Sequence, residues 1–207
     1  MIKGCTVLEH SLASVNISRL RSRETSLGSF RRALRELSLL IGIEASRSLA
    51  LKEIPLETPL SPCIGHELAR PLVIMPILRA GLGMAESLLQ VFPDARVGHI
   101  GLYRDEETFE PQSYYFKAPP LEESEVFVVD PMLATGQSAA DAVDKLKSGG
   151  ARRLHMLALI GAVPGVELFC SRHPDVPVYL AALDHELNDK AYIVPGLGDA
   201  GDRYFGT

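Results

Sequence analysis

The hydrophobic positions of this chain fall into short continuous runs that alternate with stretches of helical periodicity. Five runs have the length and the aliphatic content of strands that are buried on both faces of a sheet. These runs are Leu72–Leu78, Ala95–Tyr103, Val126–Val129, Leu154–Ile160 and Val176–Ala182. Apolar residues at helical spacing predict helices at Met84–Val91, Ser138–Leu146 and Val166–Ser171. This alternation predicts the α/β class, with a parallel sheet flanked by helices and right-handed crossovers.

The residues before this core are predicted to form an arm and a long helix. Met1–Arg23 has no clean period and is assigned to an extended arm or a short helix. Ser26 is then the expected N-cap of a helix whose apolar residues form one stripe. The stripe consists of Phe30, Ala33, Leu34, Leu37, Leu40, Ile41, Ala45 and Leu49. Pro55, Pro59 and Pro62 indicate an irregular connection or an edge hairpin.

Two polar stretches complete the pattern. Arg104–Pro120 is a polar excursion, and its segment Ser113–Phe116 resembles one arm of a flexible hairpin. Leu183–Thr207 is rich in Gly and Asp and lacks periodicity, but a long segment of this kind inside a compact domain usually has a function. We therefore expect a single domain over residues 1–207. Its parts would be an N-terminal arm and helix (1–53), an α/β core (71–182) and a C-terminal tail (183–207).

Composition and charge narrow the classes of function. The 207 residues are 46% hydrophobic and 23% charged, which suits one well-buried domain. A net charge of −5 argues against a surface that holds nucleic acid, because phosphate backbones require clustered Lys and Arg. The three cysteines have no paired spacing, which favours a reducing cytoplasm over a disulfide framework. No apolar stretch approaches the ~18 residues of a membrane span, so no membrane partner is expected.

The stretch Val126–Leu146 passes from a strand through a short loop into a helix. The loop, Ala134–Ser138, provides small residues, two hydroxyl groups and free N–H groups at a helix N-terminus, which together commonly bind phosphate. Asp130 directly follows the strand. Because α/β sheets bind ligands at the carboxyl ends of their strands, the stretch predicts a phosphate site with a carboxylate beside it.

Four motifs resemble those of one enzyme family. They are PILRAGLGM (76–84), GLYRDEET (101–108), DPMLATGQSA (130–139) and YIVPGLGDAGDRYFGT (192–207). The third is similar to the phosphoribosyl diphosphate (PRPP) motif of type I phosphoribosyltransferases. Pro131 stands where most relatives carry a second acid, which points to the uracil phosphoribosyltransferases. The resemblance runs the length of the chain and implies the type I phosphoribosyltransferase fold, with a base-binding hood over 183–207 and a protruding hairpin.

The resemblance implies transfer of the phosphoribosyl group of PRPP to uracil, which gives UMP and diphosphate in pyrimidine salvage. It assigns Asp130, Arg79 and Arg104 as catalytic residues. The residues that it assigns to PRPP are Arg79, Arg104, Asp130, Pro131, Met132, Leu133, Ala134, Thr135, Gly136, Gln137, Ser138 and Asp199. Those that it assigns to uracil, through backbone groups of the tail, are Ile193, Gly198, Asp199 and Ala200. Mg²⁺ is expected to be held mainly by PRPP oxygens and water, and no protein metal ligand is assigned.

The three catalytic candidates also have simpler explanations. Arg79 lies in the tight turn Arg79–Gly81 after a strand, where a planar guanidinium can approach diphosphate oxygens bidentately. Arg104 precedes the acidic run 105–107, and by itself this suggests a surface ion pair worth under about 1 kcal/mol. Asp130 by itself suits a turn or a helix cap. With the resemblance, its carboxylate holds the ribose hydroxyls and stabilises positive charge at C1.

Two other functions compete with this enzyme. The first is a regulator on the same fold that binds uridine nucleotide and RNA with little catalysis, and the second is an enzyme for another base. Such regulators need a basic face and usually keep paired acids in the motif, whereas this chain is acidic and has Asp130-Pro131. The tail YIVPGLGDAGD disfavours another base. The resemblance further implies a homodimer or homotetramer and allows GTP as an activator.

Two residues depart from the family pattern near the expected site. Gln137 and Glu186 stand where relatives usually have glycine. We expect Gln137 to have a negative φ and to donate its backbone N–H to the phosphate. Its amide would then point into solvent or across the loop, so that function survives. Glu186 bears on the approach to the base pocket.

Overall fold

The computed structural model describes residues 2–104 and 111–207, with the backbone alone described at 102–104 and 111–113. The N-terminal elements are β1 (Cys5–Val7), α1 (Ser11–Arg21), α2 (Leu27–Ser46), β2 (Leu51–Glu57) and β3 (Pro62–Leu68). The central elements are β4 (Leu72–Leu78), α3 (Leu82–Leu88), β5 (Arg96–Val97), β6 (His99–Arg104), β7 (Pro111–Lys117), β8 (Glu125–Val129), β9 (Met132–Leu133), α4 (Gln137–Ser148), β10 (Arg153–Ala162), α5 (Val163–Arg172) and β11 (Val178–Asp184). The C-terminal elements are β12 (Glu186–Leu187), β13 (Ile193–Val194) and α6 (Ala200–Phe205).

The main sheet is almost entirely parallel. Its order is β1-β11-β10-β8-β4-β6-β7, with β5 paired to β4 and β9 paired to β10. The β6–β7 pair is antiparallel, and the other pairs of this sheet are parallel. The chain leaves β4 for β6 on one side and then continues with β8 on the other. The order therefore reverses between β4 and β8, and such a reversal is where α/β sheets bind ligands.

Both faces of the sheet are covered, as the continuous apolar runs predicted. Along β8, Phe127 and Val129 face a core shared with α1, α2 and α3, whereas Val126 and Val128 face a core shared with α4 and α5. This alternation follows from the two-residue period of a strand. The predicted α/β sheet with helices on its faces is confirmed.

The long N-terminal helix begins where its sequence predicts. The side chain of Ser26 accepts a hydrogen bond from Ser29 N at 3.4 Å, which caps α2. Most of the predicted stripe is buried, and Leu40 is partly buried against the same core. Before it, the segment predicted as an arm or a short helix contains both β1 and α1. The period of α1 is blurred because its buried face includes the polar Asn16, while Leu12 and Val15 are exposed.

Hairpins and a small C-terminal unit complete the fold. β2 and β3 form a separate antiparallel hairpin, so the hairpin alternative for the proline-rich segment is correct. β6 and β7 pair as a hairpin up to Arg104 and Pro111, and residues 105–110 lie outside the described part. The tail is more regular than its sequence suggests, because β12 and β13 form a ribbon and α6 follows. Among the described residues, no helix has the length and apolar content that a bilayer crossing requires.

Most predicted boundaries shift by one to three residues, and two of the differences have a clear cause. The helix expected at Met84–Val91 occupies Leu82–Leu88, since it begins directly after the turn at Gly81. The strand expected at Ala95–Tyr103 is divided into β5 and β6 at Gly98, whose N–H donates to Ile74 O at 3.1 Å.

Candidate active site

The turn after β4 and the end of β8 are in close contact at the point where the strand order reverses. A Cβ atom added to Gly81 would lie 2.4 Å from the carbonyl oxygen of Val129 and 2.8 Å from that of Ile77. Only glycine allows this approach. The turn that carries Arg79 is therefore held beside the strand end that carries Asp130.

Asp130 lies at a break in the pairing of the central strand. Its N–H donates to Leu157 O at 3.2 Å, and then Pro131 O accepts from Leu159 N and Ile160 N, each at 3.1 Å. Pairing with β10 resumes at β9, starting with Met132. Proline suits the break because it has no N–H to contribute to the ladder. Asp130 is consequently partly exposed at the sheet edge, where a ligand can reach it.

The surroundings of Asp130 favour the neutral form of its carboxyl. Burial raises the pKa of its carboxyl to about 7, the backbone N–H of Met132 opposes the rise, and the charge of Asp199 adds to it. The Met132 N–H lies 3.3 Å from Asp130 Oδ1. A cation beside this carboxyl would lower its pKa again and be stabilised in return. Asp130 is therefore suited to a positive charge that appears during a reaction.

The predicted phosphate loop lies against the beginning of α5. Gly136 has φ +78°, and a Cβ added there would lie 2.2 Å from Gly165 O. A Cβ added to Gly165 would lie 2.0 Å from Ala134 O. Glycine is thus required on both sides of this contact. The loop leaves Thr135 and Ser138 exposed at the first turn of α4, where N–H groups and the helix dipole attract anions.

Gln137 is the first residue of α4 and does not have a positive φ, as predicted. Its side chain differs from the prediction. The amide does not point into solvent or across the loop, because Nε2 donates to Asp141 Oδ1 at 3.0 Å along the helix. The same oxygen accepts from Arg172 NH1 at 2.8 Å. Asp141, one helical turn further along α4, thus fixes the side chain of Gln137, which stands where a glycine was expected from the family pattern.

The structure describes the side chain of Arg79 but only the backbone of Arg104. The Arg79 side chain is exposed, lies 3.8 Å from Asp202 Oδ1 and has its guanidinium carbon 5.7 Å from the centre of the Phe205 ring. Both partners belong to α6, so Arg79 bridges the β4 turn and the tail. Arg104 ends β6 opposite Pro111, and its side chain lies outside the description.

The tail divides its predicted uracil residues between the core and the surface. The side chains of Ile193 and Ala200 are buried in the hydrophobic core, which leaves only their backbone available. Gly198, with φ +78°, and Asp199 are exposed. Asp199 also caps α6, since its Oδ1 accepts from Asp202 N at 2.9 Å. The carboxyl-terminal side of the central strands thus brings together Arg79, Asp130, Asp199 and the phosphate loop.

Sequence reasoning missed the residues that hold the tail in place. Arg21 forms a bidentate ion pair with Asp184, and Arg203 donates to Leu197 O at 2.8 Å and to Ser22 O at 2.7 Å. One signal was available, because Asp184 ends a parallel strand as Asp130 follows one. No signal pointed to Arg21, which lies in a segment without clear periodicity.

The fold is that of the type I phosphoribosyltransferases. The purine phosphoribosyltransferase of Pyrococcus horikoshii has a similar fold, with a TM-score of 0.52 at 17% identity over 72% of this chain and 80% of that chain. Residues 7–207 match the family model described as uracil phosphoribosyltransferase. The chain belongs to the uracil phosphoribosyltransferase family.

Individual relatives resemble the chain over its whole length. It is 51% identical to the uracil phosphoribosyltransferase of Mesorhizobium japonicum over 100% of both chains. It is 49% identical to that of Streptococcus mutans over 97% of both. The structure of the AQ2163 protein from Aquifex aeolicus matches with a TM-score of 0.92 at 34% identity, covering 98% of each chain. The chain is accordingly an enzyme of the phosphoribosyltransferase class.

Proposed function

We propose that this chain transfers the phosphoribosyl group of PRPP to uracil and releases UMP and diphosphate. Family membership supports the reaction. The observation that carries the assignment to this site is the grouping of Arg79, Asp130 and Asp199 beside the loop Ala134–Ser138. The arginine and the phosphate loop match the negative charges of PRPP, and the carboxylate suits the positive charge that develops on the ribose during transfer.

We assign the two phosphate ends of PRPP to different segments. The 5-phosphate would occupy the loop, accepting hydrogen bonds from N–H groups of the first turn of α4 and from Thr135 and Ser138. Pro131, Met132 and Leu133 would line the approach from the strand end. The diphosphate would contact the planar guanidinium groups of Arg79 and Arg104, which can bind it bidentately.

In the transfer step, the bond from C1 of the ribose to the diphosphate breaks and a bond from C1 to uracil N1 forms, with loss of the N1 proton. Positive charge develops on the ribose as the diphosphate leaves. Asp130 is proposed to face this charge, which lowers its raised pKa and draws it into the ionised form. Stabilisation of charge that exists only in the transition state increases kcat.

Uracil would be recognised by backbone groups of the tail. The buried side chains of Ile193 and Ala200 anchor this backbone from below, and the positive φ of Gly198 turns it. A fixed pattern of N–H and C=O groups can pair with the edge of one base and reject bases that lack the matching atoms. Asp199 would contribute to PRPP as well as to uracil.

The proposal also covers the binding of magnesium, the oligomeric state and the regulation of the enzyme. Within the described residues, no three His, Cys, Asp or Glu side chains are grouped to hold a metal. We propose that Mg²⁺ arrives on PRPP and keeps water ligands, because that ion usually takes few protein ligands. We further propose a cytoplasmic homodimer or homotetramer, with GTP as a candidate activator. The division into an arm (1–53), a core (71–182) and a hood (183–207) is part of the same proposal.

The alternative, a regulator that binds uridine nucleotide and RNA, is not favoured. The net charge of −5 disfavours RNA as a ligand, and the relatives named above are enzymes. The test is a panel of free bases with PRPP and Mg²⁺, scored for diphosphate release. We expect uracil to react, and cytosine, hypoxanthine and orotate to be poor substrates. Diphosphate release with hypoxanthine at the rate seen with uracil would refute the specificity.

A further inference from the structure

A partly buried ion pair connects α1 to the tail of the chain. Arg21 NH2 donates to Asp184 Oδ1 and Arg21 NH1 donates to Asp184 Oδ2, both at 2.7 Å. Asp184 is only 7% exposed. Two parallel charge-assisted hydrogen bonds fix the direction of both side chains as well as their separation. The pair is therefore a rigid link and differs in kind from the exposed ion pairs of this surface.

The link is fastened to the two backbone polar groups of one residue in the tail. Asp184 Oδ2 also accepts a 2.9 Å hydrogen bond from Gly196 N, and Arg21 NH1 also donates to Gly196 O at 3.0 Å. Gly196 has φ +58°, and a Cβ added there would lie 2.0 Å from Ile193 O. Both polar backbone groups of a tightly folded glycine thus depend on the same ion pair.

The electrostatics keep the link intact near neutral pH. Burial alone would raise the pKa of Asp184, but hydrogen bonds from Arg21 and from Gly196 N reverse the effect and hold that pKa below its usual range. The nearby His185 acts in the same direction. Asp184 is therefore charged whenever the site would be in use.

Gly196 immediately precedes the segment Leu197–Ala200, which carries the proposed base contacts other than Ile193. Arg203 holds the same segment independently, because it donates to Leu197 O in the tail and to Ser22 O after α1. Loss of the Arg21–Asp184 pair would consequently leave the tail attached while freeing the backbone on both sides of Gly196 to rotate. A shift of about 1 Å in a recognition backbone is enough to cost catalysis or binding about 100-fold.

We infer that Arg21 and Asp184 are positioning residues for uracil, which act by orienting the backbone of Gly196 and, through it, that of Gly198–Ala200. The inference rests on the proposed function. Neither residue is assigned a contact with PRPP, and within the oriented segment only Asp199 is assigned to PRPP as well as to uracil. The pair should therefore affect the KM for uracil much more than the KM for PRPP.

The test compares four variants in steady-state kinetics with uracil and PRPP varied in turn. Asp184→Asn keeps the shape of the side chain and removes its charge, Arg21→Gln removes the guanidinium, and a double variant combines both. Arg21→Lys keeps a positive charge without the bidentate fork. Arg19→Gln is the matched control, because Arg19 lies on the same helix and its carboxylate partner is the exposed Glu36 at 3.6 Å.

We expect Asp184→Asn and Arg21→Gln each to raise the KM for uracil at least about tenfold and the KM for PRPP by less than about threefold. The double variant should match the single variants, since the pair acts as a unit. Arg21→Lys should lie between them and the wild type, and Arg19→Gln should match the wild type. A purely structural role would lower the active fraction, and so kcat, without separating the two KM values.

Provided that the wild type is active, two results for Asp184→Asn would overturn the inference. One is an unchanged KM for uracil, and the other is a change of the KM for uracil by the same factor as the KM for PRPP. If circular dichroism shows that Asp184→Asn is not folded, the uracil KM of Arg21→Lys decides in the same way. A wild type that releases no diphosphate with uracil would instead refute the proposed function, so the two failures are distinguishable.

Discussion

The amide nitrogen of Gln137 donates a 3.0 Å hydrogen bond to Oδ1 of Asp141, and Arg172 donates to the same oxygen at 2.8 Å. Asp141 is 8% exposed, so these donors meet at a largely desolvated carboxylate. The side chain that stands at the usual glycine position is thereby directed along α4 and away from the phosphate loop. The backbone N–H of Gln137 stays at the start of the helix.

Replacement of Gln137 by glycine should leave PRPP use nearly intact. We expect Gln137→Gly to change the KM for PRPP by less than about threefold, because the loop glycine that the structure requires is Gly136. Loss of the hydrogen bond to Asp141 should cost about 1 kcal/mol, seen as a melting temperature lower by about 2 to 4 °C. Gln137→Ala controls for backbone freedom, and a tenfold change in KM in both variants would show that the amide serves the site.

Gly136 should be far less replaceable. Gly136→Ala combines a positive φ with a Cβ 2.2 Å from Gly165 O. Gly150→Ala is the matched control, since Gly150 has φ +97° with nothing within 4 Å of an added Cβ. We expect a cost of about 1 kcal/mol in unfolding free energy for the control and at least about 2 kcal/mol more for Gly136→Ala. The PRPP KM should rise only in the latter, and equal costs in urea unfolding would exclude the backbone contact as the cause.

Removal of either arginine should weaken PRPP use. Loss of a charge-assisted contact of ~2 to 4 kcal/mol corresponds to a fall of roughly 30- to 1000-fold in kcat/KM for Arg79→Ala and for Arg104→Ala. Arg79→Lys should recover part of this, because lysine lacks the fork.

Asp202→Asn controls for the exposed 3.8 Å contact of Arg79 with the tail and should have a small effect. If kcat/KM of Arg104→Ala stays within about threefold of the wild-type value, Arg104 serves only in a surface ion pair.

Asp130 should give the enzyme an acidic limb in its pH profile. Its pKa of about 7 means that kcat/KM for PRPP should rise about tenfold per pH unit below pH 7 and level off above it. Asp130→Asn should fold, lose most of its kcat with a smaller change in PRPP affinity, and lack this limb. An unchanged kcat in this variant would make Asp130 a turn residue only.

The same carboxyl should affect stability with the opposite sign to an ordinary acid. A raised pKa in the folded state means that the folded protein binds more protons than the unfolded chain between about pH 4 and pH 7. The contribution of Asp130 to the unfolding free energy should therefore fall as pH rises through that window. The dependence should be weaker in Asp130→Asn, which urea unfolding at several pH values would measure.

The sequence predicted those parts of the molecule whose signals are local. The run Val126–Val129 and the loop of small residues after it predicted a buried strand, a loop and a helix, because periodicity and small residues act over a few positions. The sequence did not predict α6, whose cap and packing partners arise only when the tail folds. Nor did it predict the pair of Arg21 with Asp184, since the two residues are 163 positions apart and no local pattern pointed to Arg21.

That separation also determines the order in which the site is completed during translation. The residues around the phosphate loop lie between Leu72 and Gly165, so the ribosome makes all of them before the tail. The base loop also needs Asp184 and Gly196, which are made later and then pair with an arginine made long before them. A nascent chain therefore contains its groups for phosphate before it contains its groups for choosing a base.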